Sequence, residues 1–472
     1  MNYRRLVGID LGIATAHTVR VLDGEGAIVA RRRAWPALGS LAAVEAAALA
    51  GCPDGTRLEV VIEPAGPAWL PIAVFFSARG HTVFRVSSPR AAGLRRFLSR
   101  HAKSNGIDAD TLARLPLFDP AGLAPLVLPG AERAALDRRV RATDRRTRHG
   151  AEHKKRIKDR ARQLLPLSPL SRDLGAADLA VLERYADPRV LTRAGQDELA
   201  AVIAQAPNNH LGAERAGQGL EAARASLELY SSHPAVDFAG LAAEIRLLRA
   251  ISAELSAHAA ERESRYRQVD PAGLARSLPG PAEVGGPALV ACMGDPARFA
   301  AGKKFRSFTG LAPRASETGQ TDRKGQPMSK AGSSLLRTTL VRAADTARKQ
   351  DPQLARTYYQ QMTERGKDHP GALCVVAASP AERAWTVMRR GTPYVICDTD
   401  GRPVTPAQAK AIITERWTVP PQIRARRRTK KTGKAPQKAP EGQCARGSLP
   451  PAPHSTPSQA ARQAKPLTTD PP

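Results

Sequence analysis

At 472 residues with 42% apolar content, the chain is long enough for two to four domains with real cores. Its formal net charge of +28 favours a polyanionic partner, nucleic acid first and an anionic membrane surface second. The apolar runs are too short for a membrane span, no signal-peptide core follows Met1, and Cys52, Cys292, Cys374, Cys397 and Cys444 have neither zinc nor disulfide spacing. A soluble protein of a reduced cytoplasm is expected.

The first 36 residues read as three short strands, at 6–9, 16–22 and 27–30, with Asp23-Gly24-Glu25-Gly26 as the hairpin turn between the last two. A helix is expected over about 39–50, then a strand 58–63, a helix near 67–79, a strand 81–86 and helices beyond Ser88. Asp10 closes the first strand and Glu63 the strand at 58–63, while Asp108 opens a short helix. A carboxylate ending a buried strand is costly unless it is paired or holds a cation. Three gathered at one sheet edge would repel each other, and a hard divalent cation with oxygen ligands, here Mg²⁺, removes the repulsion. Phosphodiester chemistry on nucleic acid uses such sites. The order βββαβαβα with acids on the first strand, the fourth strand and a later helix is that of an RNase H-like (RuvC-like) fold, expected over residues 1–125.

Residues 126–270 form a basic helical region. Within 131–163 there are 13 Lys or Arg against 5 acids, with Leu136, Val140, Ile157 and Ala161 at helical spacing. One long helix with a basic face is expected, its Arg138, Arg139, Arg145 and Arg146 binding nucleic acid, in an antiparallel helical or coiled-coil insert. Residues 271–400 form a second compact, mostly helical unit. The stretch from Leu278 to Ala291, with glycines at 280, 285 and 286, resembles a helix-hairpin-helix whose backbone amides meet a phosphate. Residues 401–472 are expected to form a basic disordered tail, most clearly beyond about 420, where residues 424–438 hold eight basic residues and no acid.

The second unit carries a succession of motifs. Gly294-Asp295 and Arg298-Phe299 come first, then Gly310-Leu311-Ala312-Pro313, Thr318-Gly319, Ser329-Lys330-Ala331-Gly332, Leu336-Arg337 and Ala343-Ala344. Together with the N-terminal acids, this succession resembles the transposases of insertion-sequence family 110 in the right order over residues 5–400. The resemblance implies a DEDD transposase, a site-specific DNA recombinase that cuts and rejoins DNA for transposition of a mobile element. It also implies a structured guide RNA, a homo-oligomer (dimer or tetramer) and a bacterial, nucleoid-associated location.

Carried over by position, Asp10 and Glu63 take the first two acid places, Asn105 the third and Asp108 the fourth. Asn105 offers a carbonyl oxygen but no charge, and Asp110 is a neighbouring acid that can contribute. The family's nucleophilic serine precedes a glycine; Thr318 is the strict positional match, and Ser316, the serine present two residues earlier, is preferred over it. Lys330 and Arg337 are further candidate nucleic-acid contacts. Two rival functions remain: a RuvC-like metal-dependent, structure-selective nuclease without rejoining, and a non-catalytic nucleic-acid-binding remnant of a decayed element.

Overall fold

The computed structural model describes residues 3–424 except 64–65, 67, 100–101, 103, 166–173, 207–211, 233–239, 316, 319–320 and 323–325. Of residues 317, 318, 321 and 322 only the backbone is described.

The N-terminal unit is a five-stranded mixed sheet. Its strands are β1 (Arg5–Asp10), β2 (His17–Asp23), β3 (Ile28–Ala34), β4 (Leu58–Ile62) and β5 (Thr82–Arg85), in the spatial order β3-β2-β1-β4-β5. β1, β2 and β3 pair antiparallel, whereas β1, β4 and β5 run parallel. The Asp23 side chain closes the β2–β3 hairpin by accepting from the amides of Glu25 and Ala27. Four helices accompany the sheet: α1 (Leu38–Leu49), α2 (Trp69–Ala78), α3 (Ser88–Ser99) and α4 (Asn105–Phe118). This mixed arrangement is compatible with an RNase H-like domain.

Side-chain alternation divides the sheet into two faces. Val7, Ile9, Val60 and Ile62 pack on α1 and α2 with Leu41, Val44, Ile72 and Phe76. Leu6 and Leu22 pack on Ala113 of α4, and Val61 packs with Leu112 and Leu115 of the same helix. α4 is longer than a short helix opening at Asp108. It starts three residues earlier because the Ser104 hydroxyl caps the Ile107 amide.

The remainder is almost entirely helical. α5 (Ala131–Leu164) is one 34-residue helix, as its spacing requires. It is followed by α6 (Ala176–Arg184), α7 (Pro188–Ala204), α8 (Gly212–Leu229) and α9 (Leu241–Val269). α5 and α9 lie antiparallel. Arg139 pairs with Glu261, Arg146 with Glu254 (3.4 Å) and His153 with Glu244, so an ion-pair stripe recurs every seventh residue of α5. At Gly150 there is little room between the helices: an added Cβ would meet Ile251 at 3.5 Å and Leu248 at 3.7 Å.

The C-terminal unit holds α10 (Leu274–Ser277), α11 (Gly285–Met293), α12 (Gly302–Thr309), the short strands β6 (Glu317–Thr318) and β7 (Thr321–Asp322), and then α13 (Ser334–Ala347), α14 (Pro352–Thr363), α15 (His369–Val376), α16 (Ala378–Arg390) and α17 (Pro406–Arg416). Their core gathers Leu289, Met293, Phe305, Leu336, Leu340, Tyr358 and Val376. In the stretch read as a hairpin between two helices, α10 has only four residues. Its glycine turn packs tightly on α13, since a Cβ at Gly280 would lie 2.2 Å from the Ala343 carbonyl oxygen.

A basic disordered tail beginning at 401 is corrected by α17, an ordered helix over Pro406–Arg416. Thr405 and Gln408 form a capping box, Ala409 and Val419 are buried, and Trp417 packs edge-on to Tyr359. Val419 joins the C-terminal core, so the folded part extends to Arg424. The sparse apolar residues of this stretch hide the fact that a few of them are buried. The cationic stretch 425–472 lies outside the described residues.

Candidate functional site

The register of β1 on β4 decides where the acids stand. Ile9 is level with Ile62. Asp10 and Glu63 are therefore one step further along neighbouring parallel strands, with backbones about 4.8 Å apart. Both continue the alternation that turns Gly8 and Val61 toward α4. Parallel strands of this kind place their carboxyl ends, and any carboxylates there, along one edge.

Gly8 determines how closely α4 approaches. A Cβ at Gly8 would lie 2.0 Å from the Ala109 carbonyl oxygen and 2.4 Å from the Ala113 nitrogen, so only glycine lets the helix backbone rest on the strand. Leu6, two residues back along β1, meets Ala113. The helix thus runs antiparallel to the strand. From Gly8 to Asp10 is about 6.6 Å along the strand. From Ala109 back to Asn105 is about 6 Å along the helix. The first turn of α4, with Asn105 and Asp108, is brought to the level of Asp10.

Two arginines attend this corner. Arg95 of α3 donates to Asp108 at 2.7 Å, both side chains being mostly shielded. The Asp108 hydrogen bond raises the Arg95 pKa, and the Glu63 carboxylate acts on it in the same direction from further off. Arg20 of β2 reaches under the first turn of α4, its Nη2 lying 2.6 Å from where a Gly106 Cβ would stand. Asp110 is engaged by Arg114 one turn on, at 2.9 Å. Among the described residues, no three His, Cys, Asp or Glu side chains are grouped closely enough to hold a metal ion. The donors are nonetheless all oxygen, the chemistry a hard divalent cation takes. In this arrangement Arg95 supplies the positive charge beside Asp108.

Sequence reasoning missed Gly8 and Arg95. A glycine inside an apolar strand signals close backbone approach, so Gly8 was within reach. Arg95 pairs across two helices and leaves no periodic trace.

In the C-terminal unit, the motif glycines build one base. The Ser329 amide donates to the Ala312 carbonyl at 2.9 Å, the Lys330 amide donates to Gly310 at 3.2 Å, and Pro313 bridges to Met328. A Cβ at Gly332 would lie 2.2 Å from the Phe308 carbonyl oxygen. Lys330 has a left-handed backbone (φ 54), unusual for a residue with a side chain. Arg337 supports it by donating Nη1 to the Lys330 carbonyl at 3.2 Å. The Lys330 side chain is exposed. This base carries the short pair β6–β7, in which Thr318 is level with Thr321. Thr318 is described by its backbone only, and Ser316 lies outside the described residues.

Of the four α5 arginines, Arg139 and Arg146 point at α9 and are used in ion pairs. Arg138 and Arg145 are exposed, and among the described residues neither has an ion-pair partner. No described helix is long and apolar enough to cross a membrane.

Comparison with known proteins finds matches to two family profiles. Residues 7–166 match the DEDD transposase family profile of IS110, and residues 272–360 match the profile described as transposase IS116/IS110/IS902 family. The chain is 26% identical over 399 residues to the 42 kDa protein of insertion element IS900 of Mycobacterium paratuberculosis, covering 82% of this chain and 96% of that one. It is 30% identical over 118 residues to the 43.6 kDa protein of insertion element IS110 of Streptomyces coelicolor, covering 25% of this chain and 29% of that one. The chain belongs to the IS110 family of DEDD transposases, the DNA transposition enzymes of insertion-sequence mobile elements.

Proposed function

We propose that the chain cuts and rejoins DNA with two sets of residues, oxygen ligands on the N-terminal sheet and a hydroxyl on the C-terminal arm. The observation that supports this reading is the β1–β4 register, which pairs Ile9 with Ile62, the residues just before Asp10 and Glu63. Asp10, Glu63 and Asp108, with Asn105 as a neutral fourth ligand, would hold Mg²⁺. A cation held there would supply polarisation of the scissile phosphate and stabilisation of its developing charge.

The Ser316 or Thr318 hydroxyl attacks phosphorus. A phosphorus–oxygen bond to the side chain forms while the bond to a deoxyribose oxygen breaks, and the hydroxyl's proton is balanced by the one the leaving oxygen gains. One phosphodiester replaces another, so a new deoxyribose hydroxyl can reverse the step and reseal the strand without an energy source. Asn105 lowers the charge of the ligand set, and Arg95 must leave Asp108 for that carboxylate to reach a cation.

The net charge of +28 suits the DNA and a structured guide RNA together. Assembly as a dimer or tetramer, at the nucleoid of a bacterial cytoplasm, belongs to the same reading and rests on the family resemblance.

The test is denaturing gel analysis of cleaved DNA with Mg²⁺, using wild type, Ser316→Ala, Thr318→Ala and Asp10→Asn. Wild type should leave protein covalently attached to DNA, one hydroxyl variant should lose the adduct, and Asp10→Asn should abolish cleavage. Protein-free ends from wild type and both hydroxyl variants would favour the metal-dependent nuclease instead.

A further inference from the structure

β3 stands at one end of the sheet, beside β2, and reads Arg31-Arg32-Arg33 in its second half. The register fixes the face on which each arginine stands. Arg31 is level with Arg20, and Arg20 with Gly8 of β1. Arg33 is level with Thr18, and Thr18 with Asp10. Residues directly opposite in a sheet share a face, and Gly8 and Arg20 both meet α4. Arg20, Arg31 and Arg33 therefore stand on the face that carries Asp10. Arg32 is level with Val19, which packs with Leu41 and Val44 of α1, and so stands on the opposite face. Arg33, Thr18 and Asp10 form one row across three strands. The backbones of Arg33 and Asp10 are about 10 Å apart, two strand spacings.

Arg20 and Arg31 are a like-charge pair. Cβ atoms of directly opposite residues lie about 4.5–5.5 Å apart, and two cations so placed weaken a sheet. Among the described residues, no carboxylate stands within ion-pair distance of Arg20, Arg31 or Arg33 to relieve them. Arg20 is half-buried and donates Nη1 to the Val19 carbonyl at 3.1 Å. Arg31 and Arg33 are exposed, and their guanidiniums donate to no described residue. Charged residues on an edge strand also guard it against pairing with another chain, but that task requires neither a repulsive pair nor an alignment with Asp10.

Trp35 follows two residues after Arg33 and is 54% exposed. Its amide donates to the Ser40 hydroxyl at 3.0 Å, which ties it to the start of α1. An open indole beside unpaired cations is a platform for an unpaired base, whose face is free to stack, and not for a base pair inside a duplex.

We propose that Arg31, Arg33 and Trp35 form a track for an unpaired DNA strand that runs from the β3 edge along the row to Asp10. The two arginines contact its phosphates, Trp35 stacks one of its bases, and Arg20 adds positive charge beneath. The track rests on the proposed strand cleavage for its purpose, but binding tests it separately.

The test is fluorescence anisotropy of the full-length protein with labelled single-stranded DNA over a salt series, with duplex DNA and RNA as comparison probes. Arg31→Gln/Arg33→Gln should flatten the log K against log salt slope for single-stranded DNA by about 1.4, or about 0.7 per lost contact. Arg31→Lys/Arg33→Lys should restore most of that slope, because lysine keeps the charge. Arg32→Gln removes a charge from the same strand on the opposite face and should leave the slope unchanged. Trp35→Ala should weaken binding on the order of 10-fold with little change of slope, and Trp35→Phe should recover most of it. If the double Gln variant does not fold, Arg33→Gln alone should show half the slope change. An unchanged slope in the double Gln variant, or an equal loss per charge from Arg32→Gln, would overturn the track. A loss confined to duplex DNA or to RNA would overturn its assignment to an unpaired DNA strand. Asp10→Asn, run alongside, should keep the full slope while losing cleavage. If it keeps cleavage, the catalytic reading fails and the track stands on its binding data.

Discussion

Gly8→Ala isolates the contact that brings α4 over the strand ends. The added Cβ would stand 2.0 Å from the Ala109 carbonyl oxygen, where ordinary contact begins at 3.4 Å. Relief requires the helix to withdraw by the difference, about 1.4 Å, because both clashing atoms are backbone and no side chain can swing aside. Overpacking of this kind costs about 1–3 kcal/mol. The unfolding midpoint of the N-terminal unit should fall by several degrees, at about 2–4 °C per kcal/mol. The larger effect should be on chemistry. Asn105 and Asp108 move with α4, and a displacement of about 1 Å costs on the order of 100-fold in rate. Gly93→Ala in α3 is the control, since nothing lies within 4 Å of its added Cβ. It should stabilise by about 0.5–1 kcal/mol and leave cleavage unchanged. The assay pairs thermal melting with strand cleavage of a transposon-end substrate. Gly8→Ala with wild-type melting and wild-type cleavage would refute the seating of α4 on β1 and the site derived from it.

Arg95→Gln should strengthen divalent-cation binding measured by calorimetry, since it releases Asp108 from its 2.7 Å ion pair; weaker binding would mean that Arg95 organises the acids rather than competing for them. Neutralising Arg138 and Arg145 should flatten the salt dependence of DNA binding by about 0.9 per lost duplex contact, while neutralising Arg139 and Arg146 should mainly lower the melting temperature, because those two serve α9; the reverse pattern would show the faces of α5 misassigned. Hydrogen bonding from Arg276 holds the Glu263 carboxyl down to about 2. The folded pKa is depressed, so this contribution is present above the ordinary carboxyl value and is lost as pH falls toward 2. The melting difference between wild type and Glu263→Gln should therefore shrink from pH 5 to pH 3, and a constant difference would contradict the ion pair. Burial pushes the Cys292 thiol up to about 12. Iodoacetamide at pH 8 should spare Cys292 and label the half-buried Cys52, Cys374 and Cys397; rapid labelling of Cys292 would show that α11 opens readily.

What the sequence made legible follows from local physics. The strand ending in Asp10, the strand ending at Ile62 just before Glu63, the Asp23 hairpin turn and the 34-residue α5 all announce themselves through alternation, turn chemistry or helical spacing. The antiparallel pairing of α5 with α9 was also legible, but not which arginines it consumes. A charge stripe at one residue in seven looks the same whether it faces solvent or Glu261 and Glu254 on a helix over a hundred residues away. α17 was hidden for a different reason. Ala409 is buried, Trp417 packs on Tyr359 and Val419 joins the C-terminal core, and none of the three is part of an apolar run. Likewise Arg95 at Asp108 is a meeting of two helices that no periodic pattern marks.

The most direct measurement is the anomalous difference map of crystals soaked in Mn²⁺, a stand-in for Mg²⁺ with the same preference for oxygen. The account predicts a peak within about 2–2.5 Å of Asp10, Glu63 and Asp108 oxygens, with Arg95 turned away from Asp108. A peak elsewhere, or none while the Arg95–Asp108 pair stays closed and the same protein cleaves DNA, would contradict it.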